Sequence, residues 1–319
     1  MTTAQPATFY RAISRNRRDS WLLVGVVVIV LGVLGGAIGA ATGYGWWGVG
    51  LAVVVAAVMS VGSFFAGDRL VLLSSGARRV DAGQPSREYQ QLVNVVNEMR
   101  LAAGVPMPAV YVIDDTAPNA FATGRDPRHA SITATTGLLA KMDREELQGV
   151  IAHEMSHVRN YDIRFTLLVG VLVGAVALLA DWFLRFTFWG GGRRSSSDNN
   201  RGGGGGAAIL FLLAIVLAVL APLISRLVQL AVSRRRESLA DVSGVELTRN
   251  PLGLASALQK IAADPEVLEV ANRATQHLYI VNPIKSFEKR SKSMWDTHPP
   301  IAERVKVLEG LVGQLRPGG

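Results

Sequence analysis

The chain has no cysteine among its 319 residues. Disulfide staples and thiolate metal sites are therefore excluded, and any metal must be held by histidine and carboxylate. Charge is scarce as well. Charged residues make up 18% of the chain against 49% hydrophobic ones, and the apolar residues are gathered in long blocks, which argues against a purely soluble protein. The net charge is +8. The basic residues flank the apolar blocks and are not interleaved with aromatics in the way that stacks bases. They suit anionic lipid headgroups, and no nucleic-acid partner is expected.

A basic arm, residues 1–20, precedes two blocks without charge, Trp21 to Gly45 and Trp46 to Gly67. Each is long enough to cross a hydrocarbon core of about 30 Å as a helix. Tyr44, Trp46 and Trp47 lie between them, where an interfacial aromatic belt belongs. The expectation is a transmembrane hairpin over 21–67. A second hairpin is expected over 163–232, with a flexible Gly- and Ser-rich loop at 190–206 and a kink at Pro222. Asp181, Arg185 and Arg226 sit towards its ends, so a pair of long core helices or a shallowly inserted pair stays open. Arg11, Arg15, Arg17 and Arg18 put the N-terminus in the cytoplasm. Two hairpins then return residues 68–162 and 233–319 to that side. Arg193, Arg194 and Arg201 in the outward loop are a mild breach of the rule.

Residues 68–162 read as a mixed segment. Helical periodicity runs through 86–105, with Leu92, Val95, Val96, Met99 and Leu101 near one face. The stretches PAVYVID, NAFATG and ASITATTGLL read as three strands. The following helix, in KMDREELQGVIAHEMSHVRN, opens on a capping box of Asp143 and Glu146 and buries Leu147, Val150, Ile151 and Val158. Residues 233–319 read as largely helical.

Two of the five histidines, His153 and His157, stand one turn apart on that helix, with Glu154 beside the first. Both imidazoles project from one face, and ring nitrogens so placed reach one Zn²⁺ at about 2.0–2.1 Å. Glu154 is angled away from the ion's nearest ligands, where it can take a proton from the attacking water and pass it to a leaving amine. This H-E-x-x-H pattern points to metal-assisted peptide hydrolysis; the bland reading is two surface histidines. A catalytic zinc wants a third protein ligand. Glu237 and Asp241 are again one turn apart, about 80 residues on. Glu237 can ligate while Asp241 bonds a ligand imidazole; otherwise they are a solvated pair beside Arg234–Arg236. The apolar block after His157 and the one before Glu237 form a hairpin that returns the chain to the side it left, which favours ligation.

The motifs PNAFATGR (Pro118 to Arg125), TTGLL (Thr135 to Leu139), VIAHEMSHVRNYD (Val150 to Asp162), SRRRESLAD (Ser233 to Asp241) and THPPIAERV (Thr297 to Val305) occur in this order. Together they make the chain resemble the HtpX heat-shock membrane proteases, relatives of the prenyl-protein endoproteases. The resemblance implies one Zn²⁺ per chain on His153, His157 and Glu237, Glu154 as general base, and Asp241 as the carboxylate behind a ligand. Asn119, Ala120, Phe121, Ala122 and Thr123 match the edge strand that binds substrate backbone by strand addition. His298 and Arg304 match a motif in which a His or Arg stabilises the oxyanion; their bland readings are a helix-capping His and a surface Arg. The motif is preceded by MWD, where smaller polar residues are expected. His129 and His277 are expected to be structural or exposed, and Asn160 and Asp162 to be helix-end stabilisers.

The fold expected is α+β and mainly α: two transmembrane helical hairpins and a zincin-like domain carrying a small β-sheet. The function expected is a multi-pass protease of the inner cell membrane, its active site cytoplasmic, cutting misfolded or damaged membrane proteins. A metal-binding quality-control adaptor without turnover is the alternative, and intact Glu154 speaks against it. A small transporter would need paired ionisable residues in mid-span, and the first hairpin has none.

Overall fold

The computed structural model describes residues 46–81, 83–168, 234–266 and 299–312, together with Arg18, Leu22, Gly25 and Ile29. Most of the first span, the second hairpin from residue 169 onward with its loop at 190–206, His277 and His298 lie outside the described residues. The architecture is mainly helical with one small mixed sheet.

Helix α1 (Trp46–Ser74) is followed by β1 (Arg78–Arg79), α2 (Arg87–Ala103), β2 (Ala109–Ile113), β3 (Ala120–Gly124) and β4 (Ala130–Thr135). Then come α3 (Thr136–Lys141), α4 (Arg144–Arg159), α5 (Arg234–Thr248), α6 (Pro251–Ala263) and α7 (Ile301–Leu311). The strand order is β1-β2-β4-β3, with β2 and β4 parallel and β3 antiparallel to β4 on an outer edge.

The chemistry of each boundary is local. Ser86 caps α2 by accepting from the Tyr89 N–H, and Gly104 closes it at φ 68°. Gly124 turns the chain from β3 towards β4 at φ 141°, where an added Cβ would stand 2.2 Å from the His129 carbonyl. Asp143 and Glu146 form the expected capping box at the start of α4. The expected third strand stops at Thr135. Its hydroxyl accepts from the Leu138 N–H and so starts α3 instead of continuing the sheet. Leu101 is exposed, not buried. It lies nine residues from Leu92, half a turn out of phase, so the buried face of α2 is Leu92, Val93, Val95, Val96, Met99 and Ala103.

One face of the sheet carries Val110, Val112, Ala120, Ala122, Ile132 and Ala134. These join Leu138, Leu147, Val150, Ile151, Met155, Leu254, Leu258 and Leu308 in the main core. The other face carries Ile113 and Phe121 against Leu72 near the end of α1. Alternation along the strands thus splits the sheet between a helical layer and α1. Residues 162–168 are helical and buried at Ile163, Phe165 and Leu167. Arg164 binds this segment to its surroundings, donating from Nε to the Arg125 carbonyl and lying over the rings of Phe64 and Tyr161.

Val54, Val58, Val61 and Phe65 of α1 are exposed at spacings of three and four. Many other side chains of α1 lie outside the described set; among the described residues, no helix is long and apolar enough to cross a membrane.

Candidate metal centre

α4 runs beneath the edge strand β3 and is crossed by α5. The crossing is close because Gly244 faces α4: a Cβ there would stand 3.1 Å from the His153 backbone nitrogen. Glu237, Asp241 and Gly244 recur at helical spacing, so the face of α5 that approaches α4 most tightly also carries both carboxylates.

His153 and His157 meet edge to face, with ring centroids 4.8 Å apart. Their Nε2 atoms are 3.3 Å apart. The Glu237 carboxylate completes a triangle, with Oε2 3.6 Å from His153 Nε2 and Oε1 3.6 Å from His157 Nε2. A tetrahedral ion with bonds of about 2.0–2.2 Å requires ligand atoms roughly 3.3–3.6 Å apart. The donor set therefore has the size and chemistry that such an ion needs, and it draws on the residues expected from the sequence. No other group of His, Asp and Glu among the described residues is arranged in this way.

Each imidazole is held from behind. His153 Nδ1 lies 2.9 Å from Asp241 Oδ1. Arg304, on α7, forks onto that carboxylate, donating from Nε to Oδ2 at 2.9 Å and from Nη2 to Oδ1 at 2.7 Å. His157 Nδ1 lies 3.0 Å from Asp162 Oδ2. An Nδ1–H given to each carboxylate leaves Nε2 as the ligand atom. Burial lowers the pKa of His153, but Asp241 and Glu237 outweigh it and raise the value to about 9. Burial also lowers His157, and Asp162 and Glu237 raise it to a net increase. Asp241 goes the other way: burial raises it, and the charges and hydrogen bonds of Arg304 and His153 together bring it below the ordinary value.

Glu154 is buried beside the triangle. Burial pushes its pKa up, and the neighbouring imidazoles and a hydrogen bond from the Ala122 N–H recover only part of the rise. That bond fixes the orientation of β3. Ala122 points its backbone outward over Glu154, whereas the Asn119 carbonyl accepts from the Thr135 N–H on the β4 side. Alternation then places the backbone groups of Ala120, Ala122 and Gly124 on the outer edge and those of Phe121 and Thr123 towards β4.

Arg304 sits behind His153 with its fork committed to Asp241 and Nη1 3.8 Å from Glu237 Oε2. It is 3% exposed, so the surface reading is excluded. This placement favours support of a ligand over contact with an oxyanion. His129 is half-exposed and paired with Asp126, 2.9 Å away, as a structural histidine. Asp162, expected from the sequence as a helix-end residue, also contacts the His157 imidazole.

The arrangement is that of a metal-dependent hydrolase. A model of peptidase family M48 matches residues 86–312. Proteins named protease HtpX homolog are similar over nearly the whole chain. That of Streptococcus thermophilus is 43% identical over 300 residues, 94% of this chain and 98% of its own. That of Dictyoglomus thermophilum is 40% identical over 305 residues, 95% of each. That of Tropheryma whipplei is 41% identical over 307 residues, 96% of this chain and 99% of its own. Among solved structures, the crystal structure of S. mikatae Ste24p is similar with a TM-score of 0.48 and 16% identity, covering 81% of this chain and 57% of that one. The chain belongs to peptidase family M48 and, within it, to the HtpX-like metalloproteases.

Proposed function

We propose that this chain is an integral-membrane zinc endopeptidase that hydrolyses peptide bonds of misfolded or damaged membrane proteins at the cytoplasmic face of the cell membrane. The observation that carries the reading is the ligand-sized triangle of His153, His157 and Glu237 with Glu154 buried beside it.

His153, His157 and Glu237 would hold the ion; a nitrogen and carboxylate set without thiolate suits zinc. When bound, the ion supplies Lewis acidity to the scissile carbonyl and to water. Glu154 takes the proton of the attacking water on its carboxylate and delivers it to the departing amine nitrogen. A pKa raised by burial favours that exchange, because a base whose pKa lies nearer neutrality both accepts and returns a proton readily. The Ala122 N–H holds the carboxylate in place between these events. A substrate strand laid along the outer edge of β3 would pair with the carbonyls of Ala120 and Ala122 and the backbone of Gly124, the Ala122 N–H staying on Glu154 and the Ala120 N–H on the Asn119 side chain, while Asn119, Phe121 and Thr123 keep the strand on the sheet. Arg304 supports His153 through Asp241, and His298 is left as the candidate for oxyanion contact.

A bilayer setting is supported by the charge-free blocks of the sequence and by the exposed Val54, Val58, Val61 and Phe65 of α1, a pattern water disfavours and lipid accepts. The basic N-terminal arm supports the cytoplasmic orientation. The test is metal content and proteolysis of full-length protein in detergent. About one zinc per chain is expected, with little in His153→Ala. Glu154→Gln is expected to keep the zinc and lose turnover. Turnover that survives Glu154→Gln, or wild-type protein without metal, overturns the reading.

A further inference from the structure

We propose that Asp162 and Arg236 form a second brace of the metal centre, holding His157 as Asp241 and Arg304 hold His153. The inference rests on the metal-site reading above and adds two positioning residues to it.

The order of groups repeats. Asp162 Oδ2 is 3.0 Å from His157 Nδ1, and Asp162 Oδ1 is 3.7 Å from Arg236 Nε. One carboxylate thus lies between an imidazole and a guanidinium, as Asp241 does between His153 and Arg304; Asp241 holds its arginine by two hydrogen bonds, Asp162 by an ion pair at longer range. Both members of the pair are buried, at 4% and 7% exposure. The Arg236 guanidinium also lies 4.0 Å over the Phe165 ring, on the segment that begins with Asp162. Burying an ion pair is costly unless geometry and further contacts offset the lost hydration. Here the further contacts are a ligand imidazole and an aromatic face.

A break in the helix makes the brace reachable. His157 and Asp162 are five residues apart, about 140° around a continuous helix and facing away from each other. α4 ends at Arg159, and Tyr161 adopts φ 62°, in the left-handed region that a bulky residue seldom enters. That single turn swings Asp162 back beneath His157. The break therefore sets the orientation of a ligand.

Arg236 acts on the other ligand. It immediately precedes Glu237 on α5. Successive helical residues diverge by about 100°, so while Glu237 faces the imidazoles, Arg236 faces residues 162–165. The Asp162–Arg236 pair thus clips the turn that follows α4 to the residue beside Glu237 on α5. It fixes Glu237 in register with His157.

The test uses full-length protein in detergent. Zn²⁺ affinity is measured by competition with a chromophoric chelator for wild type, Asp162→Ala, Asp162→Asn, Arg236→Met and the double variant. The Co²⁺ d–d absorption of each is recorded, with unfolding of the metal-free proteins alongside. Removing a group behind a ligand typically costs 10–100-fold in metal affinity. Asp162→Ala is expected to weaken Zn²⁺ by about 10–100-fold and to change the Co²⁺ spectrum. Asp162→Asn and Arg236→Met are expected to weaken it severalfold, and the double variant to be no weaker than Asp162→Ala. Folded variants with wild-type affinity and spectrum overturn the inference. So does failure of all of them to fold under conditions where His157→Ala folds, because the pair would then serve folding alone. Absence of metal from wild type is a separate outcome, which overturns the metal-site reading itself.

Discussion

Glu146 and Glu154 lie two turns apart on α4 and are both buried, at 3% and 2% exposure, yet the helix uses them in opposite ways. Glu146 is bonded on every side. It accepts from Lys260 and Ser256 at 2.6 Å each and from the Asp143 N–H at 2.9 Å. Burial raises its pKa, but these partners bring it below the ordinary value. Glu154 receives one backbone N–H, from Ala122, and its pKa is raised by burial. The same residue type at similar depth is an anchor where donors converge and keeps a raised pKa where one backbone donor reaches it. On the proposed function, what sets the general base apart from the anchor is the number and charge of its donors rather than its burial.

The largest effect expected from this contrast is on turnover. Glu154→Gln should reduce peptide hydrolysis by about 10²–10⁴-fold, the range for loss of a positioned acid–base group, with zinc retained and thermal unfolding no lower than wild type. Glu146→Gln should do the reverse, lowering the unfolding midpoint and leaving kcat/KM of the folded protein near wild type. If both substitutions lower stability equally, the distinction between anchor and base is lost.

Next in size is the brace behind His153. Asp241→Ala leaves the Arg304 guanidinium buried without its carboxylate, and breaking such a pair from one side costs about 3–5 kcal/mol. Denaturant unfolding of the metal-free protein should show a loss of that order. Replacing both partners with apolar residues, Asp241→Leu with Arg304→Met, should recover much of it while metal affinity stays low. Recovery of affinity as well would mean that the carboxylate does not position His153.

Gly244→Ala comes third. The added methyl group meets the α4 backbone, which cannot move aside as a side chain would. Overpacking of this kind costs about 1–3 kcal/mol. Because Gly244 shares its face with Glu237 and Asp241, Zn²⁺ affinity should fall along with stability. Stability lost with affinity unchanged would uncouple the α4–α5 distance from the ligands.

What the sequence reveals and what it hides divides along similar lines. The capping box of α4, the paired imidazoles and the Glu237–Asp241 spacing are legible because each is a relation within one helix, fixed by 3.6 residues per turn. The core face of α2 is legible for the same reason, except at Leu101, where apolar character was taken for position. The contact of Asp162 with His157 was missed for an equally physical reason. At i+5 from His157 the aspartate faces the wrong way on any continuous helix, and nothing in the letters Asn160-Tyr161-Asp162 announces a left-handed tyrosine. Arg304 carries a motif signal but no directional one. Its fork on Asp241 is a contact across 63 positions that only the packing of α7 on the other helices creates. The end of β4 was missed because Thr135 can extend a strand or cap a helix, and the choice is made by the Leu138 N–H it receives.

The smallest effect expected concerns acid, and it tests the Glu146 half of the comparison directly. The Glu146 pKa is below its ordinary 4.5 in the folded chain. The folded state therefore holds fewer protons than the unfolded state in the window between the two values. Stability rises with pH across that window, so the contribution of Glu146 is fully present above about pH 4.5 and is lost as the pH falls through the depressed folded value. Lys260 is partly exposed, which screens its share and keeps the slope shallow. Urea unfolding measured from pH 6 down to pH 3 should fall more steeply for wild type than for Glu146→Gln, and Lys260→Met should lie between them. Parallel acid limbs for all three would mean that the Lys260, Ser256 and Asp143 contacts do not hold the carboxylate ionised, and that Glu146 is no more an anchor than Glu154.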